Sequence, residues 1–286
     1  MKKTIRRFAA LLLALSFSSL SASAETLTIG LIPSEDAQAM LKNSKAVMDS
    51  IQTQTGMTVR PFIATDYNGI IEALRAKKLD VAYLGPFSYV LASSIANVEA
   101  FAVAETKKTG KSSYKSLIIV RKDSNLKDLN QLKDHTMAFV DPTSTSGHLF
   151  PAAGLQKNGI DPNKFFSRVI FSGSHDASIL AVANKKVDAA AVADRIYFAA
   201  IASGTVKESD FNIVWTSPDI PESPMVWRKD LSPELKVKIA AAFANVKNLE
   251  WGDQGVLNGF QKTNDAAYNP VRETAQILNL NLKTMK

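Results

Sequence analysis

The sequence predicts an α/β protein of two lobes, and three observations carry that reading. Short apolar runs alternate with longer amphipathic ones through two successive sets, the pattern of strands crossed over by helices. No Gly/Ser-rich linker, internal repeat or low-complexity stretch separates the sets, so they read as lobes joined by extended crossovers. Polar clusters recur where the strand-like runs end: Ser34 and Glu35, Asp66 and Tyr67, Gly85 to Ser88, Thr143 to His148, Ser174 to Asp176, and Asp194. Strand carboxyl ends and inter-lobe clefts are where α/β proteins bind ligands. The convergence points to a small polar ligand.

The first set opens with the strand "TLTIGLI" (26–32), then a helix carrying Met40, Leu41, Val47, Met48 and Ile51 on one face, stopped by Gly56. "MTVRPFI" is a strand, "YNGIIEALRAKKL" a helix and "DVAYLG" a strand; "PFSYVLASSIA" is a helix with proline in its first turn. The second set follows "SYKSLIIVRKD": strand "HTMAFV", helix "SGHLFPAAGLQKNG", strand "FFSRVIF", helix "HDASILAVANKKV", strand "DAAAVA" and helix "DRIYFAAIASG". "FNIVWTS" and "SPMVWRK" are extended returns, and the rest reads as mostly helical. With crossovers near 115–121 and 212–228, one lobe takes 25–117 plus 217–286 and the other 118–216.

Residues 1–24 read as a signal peptide: basic "MKKTIRR", an apolar run from Phe8 to Leu20, and an Ala22-x-Ala24 exit. That run is too short to span a membrane. The address it implies is the periplasm. Without Lys2, Lys3, Arg6 and Arg7 the formal charge falls from +7 to +3, and no basic run of the nucleic-acid kind remains. "KKTGK" (107–111) reads as a solvated loop. The absence of cysteine excludes disulfides, thiolate metal sites and a lipidated cysteine. The mature chain is long enough to fold on its core alone, and nothing in it calls for a cofactor.

"DPTSTSG" (141–147) concentrates the chemistry. One hydroxyl before a helix is an ordinary cap, but Thr143, Ser144, Thr145 and Ser146 exceed what a cap needs. At a helix N-terminus the free amides and the positive dipole end attract an anion. The hydroxyls add donors, and Gly147 allows close backbone approach. Enzyme signatures are weaker. Ser174, His175 and Asp176 are sequence neighbours, which does not make triad geometry. S-x-x-K and K-T-G occur in the wrong order for a β-lactamase. His135, His148 and His175 are scattered and read as structural or hydrogen-bonding residues. Tyr67 presents a polar tip at a cleft position; Tyr83, Tyr89 and Tyr197 are divided between packing and site.

"DYNGIIEALRAKKLDVAYLGPFSYV", "VDPTSTSGHLFP", "HDASILAVANKKVDAAAV" and "SPMVWRKDLS" together resemble the phosphonate-binding proteins of bacterial ABC importers, over almost the whole mature chain. The resemblance implies a type II periplasmic-binding-protein fold, two lobes with mixed, mostly parallel sheets, closing on ligand without catalysis and delivering it to an ABC permease. It implies that Ser144, Thr145 and Ser146 donate to phosphorus-bound oxygens, joined by Tyr67 and His175, with Ser34, Tyr83 and Asp194 as further contacts. Such a site holds its anion with neutral dipoles and hydroxyls, so closure need not bury an arginine. Where aminoalkylphosphonate binders carry a carboxylate, this chain has Ser223, and Leu84 stands where some members have an aromatic. Within the family this chain resembles the phosphite and hypophosphite binders most, which implies a monomer binding a small phosphorus oxyanion: phosphite, hypophosphite or a simple alkylphosphonate. An exported sensor using the same cleft, and a serine hydrolase, are the competing readings.

Overall fold

The computed structural model describes residues 25–282; the signal peptide read at 1–24 lies outside them. β1 (Thr26–Leu31), α1 (Ala37–Thr55), β2 (Thr58–Ile63), α2 (Tyr67–Arg75), β3 (Val81–Tyr83) and α3 (Pro86–Ile95) follow the predicted alternation. β1 pairs in parallel with β2 and β3. Its Leu27, Ile29 and Leu31, which share one face, are wholly buried.

β4 (Val98–Thr106), to which the sequence reading assigned no element, runs antiparallel to β12 (Pro224–Arg228), which returns between it and β3. β13 (Glu250–Trp251) and β14 (Gly255–Lys262) complete a seven-stranded sheet in the order β13-β14-β4-β12-β3-β1-β2. This hairpin corrects the mostly helical reading of the last segment. Gly252 and Gly255, at φ 45° and 71°, turn the chain where side chains would be strained. Among the described residues only α8 (Pro233–Ala244) and α9 (Asn269–Ile277) are α-helical there.

The second sheet contains β6 (Ser116–Arg121), β7 (Thr136–Phe139), β8 (Arg168–Phe171), β9 (Ala189–Ala193) and β10 (Phe211–Thr216), in the order β10-β6-β9-β7-β8. α4 (Phe150–Lys157), α5 (Pro162–Phe165), α6 (His175–Ala183) and α7 (Asp194–Ala202) connect its strands. β7 is parallel to β8 and β9, whereas the crossover strands β6 and β10 are antiparallel members. β5 (Ser113–Tyr114) and β11 (Ile220–Pro221) pair beside each other between the two sheets.

The sheets share an internal repeat that residue identities conceal. Asp80 accepts from the amide and hydroxyl of Thr28, and Asp188 does the same for Thr136, each pair 52 residues apart. One constant step carries Thr28 to Thr136, Tyr67 to His175, Lys77 to Lys185 and Asp80 to Asp188. Lys77 and Lys185 even share a left-handed backbone, φ 58° and 59°. The reading of no repeat is thus corrected: a few matched residues and hydrogen bonds recur at one constant step within otherwise different sequence.

Candidate functional site

The hydroxyl run folds into a rigid cradle. Asp141 accepts from the amide and hydroxyl of Thr143 at 2.7 and 2.8 Å, which tightens the turn after β7. The Leu149 amide reaches the Ser144 carbonyl at 3.0 Å, so the helix leading into α4 opens with a π-type turn, Thr145–Leu149. Ser144, Thr145 and Ser146 are buried. Ser144 Oγ accepts from the Gly147 amide at 3.1 Å, and Thr145 Oγ1 from the Phe87 amide at 2.8 Å. Both oxygens already accept, so both O–H hydrogens are left to donate. As first-turn residues, Thr145 and Ser146 also present amides without intrahelical acceptors. Gly147 serves a different purpose from the one expected. A β-carbon there would lie 2.4 Å from Val140 Cβ, so the close approach is to the protein's own strand.

The repeat explains why this helix rather than its counterpart suits an anion. α1 occupies the equivalent position in the other lobe, and Asp36 caps it, accepting from the Gln38 and Ala39 amides at 3.0 Å. A carboxylate there occupies the positive dipole end. Ser144 caps the equivalent turn without charge, and the field stays available.

Tyr67 and His175 hold equivalent places, each opening the helix after a capping residue, Asp66 or Ser174. The Tyr67 hydroxyl is buried alongside Ser144 with no hydrogen-bond partner. Burial, then the Asp141 charge, push its ionisation well above the usual phenol range, so it remains a donor. His175 donates its backbone amide to the Ser34 carbonyl at 2.9 Å. Its Nδ1 lies 3.1 Å from the Ala193 amide nitrogen. An N–H can only donate, so Nδ1 is unprotonated and Nε2 carries the hydrogen. Burial, reinforced by Arg195, lowers its pKa to about 3. Of the eight sequence-predicted residues, Ser144, Thr145 and Ser146 make the turn with Tyr67 beside Ser144. His175 meets Ser34 through its backbone, and the Ser34 hydroxyl is directed to Met40 Sδ at 3.5 Å and to Asp253.

Tyr83 and Asp194 stand elsewhere. The Tyr83 hydroxyl donates to Asp253 at 2.6 Å. Asp194 Oδ1 accepts from the Arg195 amide at 2.7 Å. Its neighbour Arg195 adds a largely enclosed cation that the hydroxyl site does not require. The guanidinium pairs with Asp253 at 3.0 Å and Glu222 at 3.5 Å, and its carbon lies 4.2 Å from the Tyr114 ring centroid. Burial works against the Asp253 charge, yet Arg195 and then Tyr83 hold its pKa below the usual range. Glu222 is raised, chiefly by burial. Tyr114 joins this wall to the cradle, with Ser146 and Thr145 beside its hydroxyl. Outward, Arg195, Asp194, Tyr114 and Phe198 border a cavity of about 690 Å³. Sequence reasoning missed Arg195, Glu222, Asp253 and Tyr114. The last three lie far apart in the chain and carry no shared spacing.

A fold of two lobes around a neutral donor cradle defines a solute-binding protein. The family model for the periplasmic substrate-binding protein of phosphonate ABC transporters matches residues 29–271. The phosphonates-binding periplasmic protein of Escherichia coli is 34% identical over 266 residues, covering 88% of this chain and 76% of that protein. A binding protein component of a Pseudomonas aeruginosa ABC phosphonate transporter superposes with a TM-score of 0.80 at 32% identity, over 88% of this chain and 85% of that one. PhnD1 of Prochlorococcus marinus, solved with methylphosphonate, has a TM-score of 0.79 at 22% identity, over 89% and 98%. The chain belongs to the phosphonate-binding family of periplasmic ABC-transporter proteins. Among the described residues no helix is long and apolar enough to cross a membrane.

Proposed function

We propose that this chain is exported by residues 1–24 and binds a small phosphorus oxyanion in the periplasm. Phosphite, hypophosphite or a simple alkylphosphonate would sit between lobes 25–117/217–286 and 118–216 for delivery to an ABC permease. The carrying observation is the cradle: Ser144 and Thr145 hydroxyls that already accept, the uncommitted Tyr67 hydroxyl beside them, and a His175 ring fixed as an Nε2–H donor. Such a set stabilises oxygens carrying negative charge and offers a cation nothing. The ligand bridges donors from both lobes, so binding favours their closed arrangement. A monomer without cofactor or nucleic acid suffices for this role.

The histidine also weighs against the hydrolase reading. A triad histidine keeps its proton on Nδ1, held by a carboxylate, and takes the serine proton at Nε2. Here Nδ1 faces an amide donor, so Nε2 is already protonated and cannot act as the base. Ser174 and Asp176 contact each other at the start of α6 as capping residues.

Calorimetry with phosphite, hypophosphite, methylphosphonate, phosphate and sulfate tests the reading. At least one phosphorus oxyanion should bind, and Ser144→Ala/Thr145→Ala should abolish binding while the unliganded circular dichroism spectrum stays unchanged. Binding that survives the double substitution refutes the cradle. Tyr67→Phe should cost about 2 kcal/mol, roughly thirtyfold in affinity, as for a hydrogen bond to a charged group.

A further inference from the structure

We propose that Arg195 sets which ligands the cleft accepts, acting as an internal cation that occupies the carboxylates facing the cradle and so excludes ligands bearing an ammonium group. This rests on the function proposed above and assigns its specificity. Asp253 and Glu222 are buried, and both reach Arg195. The cradle ends at Tyr114, whose ring lies against the guanidinium and whose hydroxyl lies beside Thr145 and Ser146. The cleft therefore has the charge layout of a site for a zwitterion, with neutral anion donors at one wall and paired carboxylates at the other. The cationic place is filled by the protein itself.

Three features make that occupancy more than a surface ion pair. The guanidinium is enclosed, its side chain 15% exposed with Nε and Nη1 lacking hydrogen-bond partners. Its carboxylate partners come from another part of the chain, Glu222 beside β11 and Asp253 between β13 and β14. The internal repeat gives Arg195 the counterpart Phe87, the second residue of α3, so the helix position does not itself demand a cation. An alkylammonium entering here would have to displace Arg195 or stay unpaired, and an unpaired buried ammonium is strongly disfavoured. A ligand with an uncharged substituent meets no such conflict.

The test is a ratio of dissociation constants, aminoethylphosphonate over methylphosphonate, measured by calorimetry on the full mature chain. The parent protein should favour methylphosphonate by about a hundredfold or more. Arg195→Met, which frees Asp253 and Glu222, should shift the ratio toward aminoethylphosphonate by at least about tenfold, whereas Arg195→Lys should leave it near the parent value. A general loosening of the fold weakens both ligands and does not move the ratio this way. If Arg195→Met does not fold, the parent ratio and the lysine variant still decide. A parent that binds both ligands alike, or a lysine variant that turns toward aminoethylphosphonate, overturns the assignment. An unchanged ratio in folded Arg195→Met overturns it too. Failure of the parent to bind any phosphorus oxyanion would instead overturn the proposed function, and this inference with it.

Discussion

Glu35 shows how much one side chain's surroundings alter its chemistry. Burial, followed by the charges of Asp253 and Asp176, raises its pKa from 4.5 to about 8, while Arg195 pulls the other way and Asp36 adds to the rise. The folded protein therefore holds a proton that the unfolded chain releases above about pH 4.5, and stability falls as pH rises through that window. His175 acts in the opposite sense, at lower pH. Its folded pKa of about 3 lies below the ordinary 6.5, so its contribution is lost as pH falls from 6.5. Between pH 6.5 and 8 Glu35 dominates, because the unfolded histidine has only about half a proton left to lose there. Urea midpoints at those pH values should fall by the equivalent of about 1 kcal/mol in the parent and by clearly less in Glu35→Gln. Equal slopes in both proteins would show that Glu35 titrates normally. Glu35 was legible as a polar cluster member beside Ser34, but its neutral state was not, because Asp253 and Asp176 approach it only in three dimensions.

At the scale of elements, the capping residue decides what a helix N-terminus can do. Asp36 and Ser144 cap equivalent turns, and only the neutral one leaves the dipole for a ligand. Ser144→Asp should keep the turn capped, since aspartate is as good a cap as serine. The unliganded melting temperature should fall, because the new carboxylate is buried without a cation, and ligand-induced stabilisation should disappear through charge repulsion. Retention of methylphosphonate-induced stabilisation in Ser144→Asp would contradict the cradle's electrostatics. Gly147→Ala is a packing test of the same turn. The added methyl meets Val140 Cβ and Ser144 Oγ, at 2.4 and 2.8 Å, and overpacking of this kind costs about 1–3 kcal/mol. Denaturant melts should register that cost, and affinity should fall with it because Ser144 is moved. The strand-helix order of both lobes was readable from period and turn residues. β4 and the β13-β14 hairpin were not, since their pairing partners are supplied by distant strands.

Across the whole molecule, the lobes are held together by bonds that coincide with the site. Thr145 caps the first turn of α3 in the other lobe, His175 bonds to Ser34, the Asp36 amide bonds to Asp176, and Arg195 reaches Asp253. Opening the cleft breaks these bonds, Thr145 to Phe87 among them, while Ser144 and the His175 ring stay held within their own lobe. A ligand bridging the lobes should therefore couple binding to closure. Addition of methylphosphonate, or whichever oxyanion binds, should lower the radius of gyration in small-angle scattering and raise the melting temperature together. Binding without a change in radius would mean that the unliganded lobes already rest closed.

By itself, the sequence determined the alternation of strands and helices and the hydroxyl-rich turn at 143–146, because period, caps and turn chemistry are local; that Tyr67 and His175 join the turn came only from the family resemblance. The tertiary structure alone decided that Arg195, Glu222 and Asp253 form one ion cluster in the cleft, that Tyr83 serves that cluster, and that the lobes repeat each other. Charges couple through space over a few ångströms of low-dielectric interior, and no spacing along the chain records which of them the fold brings together.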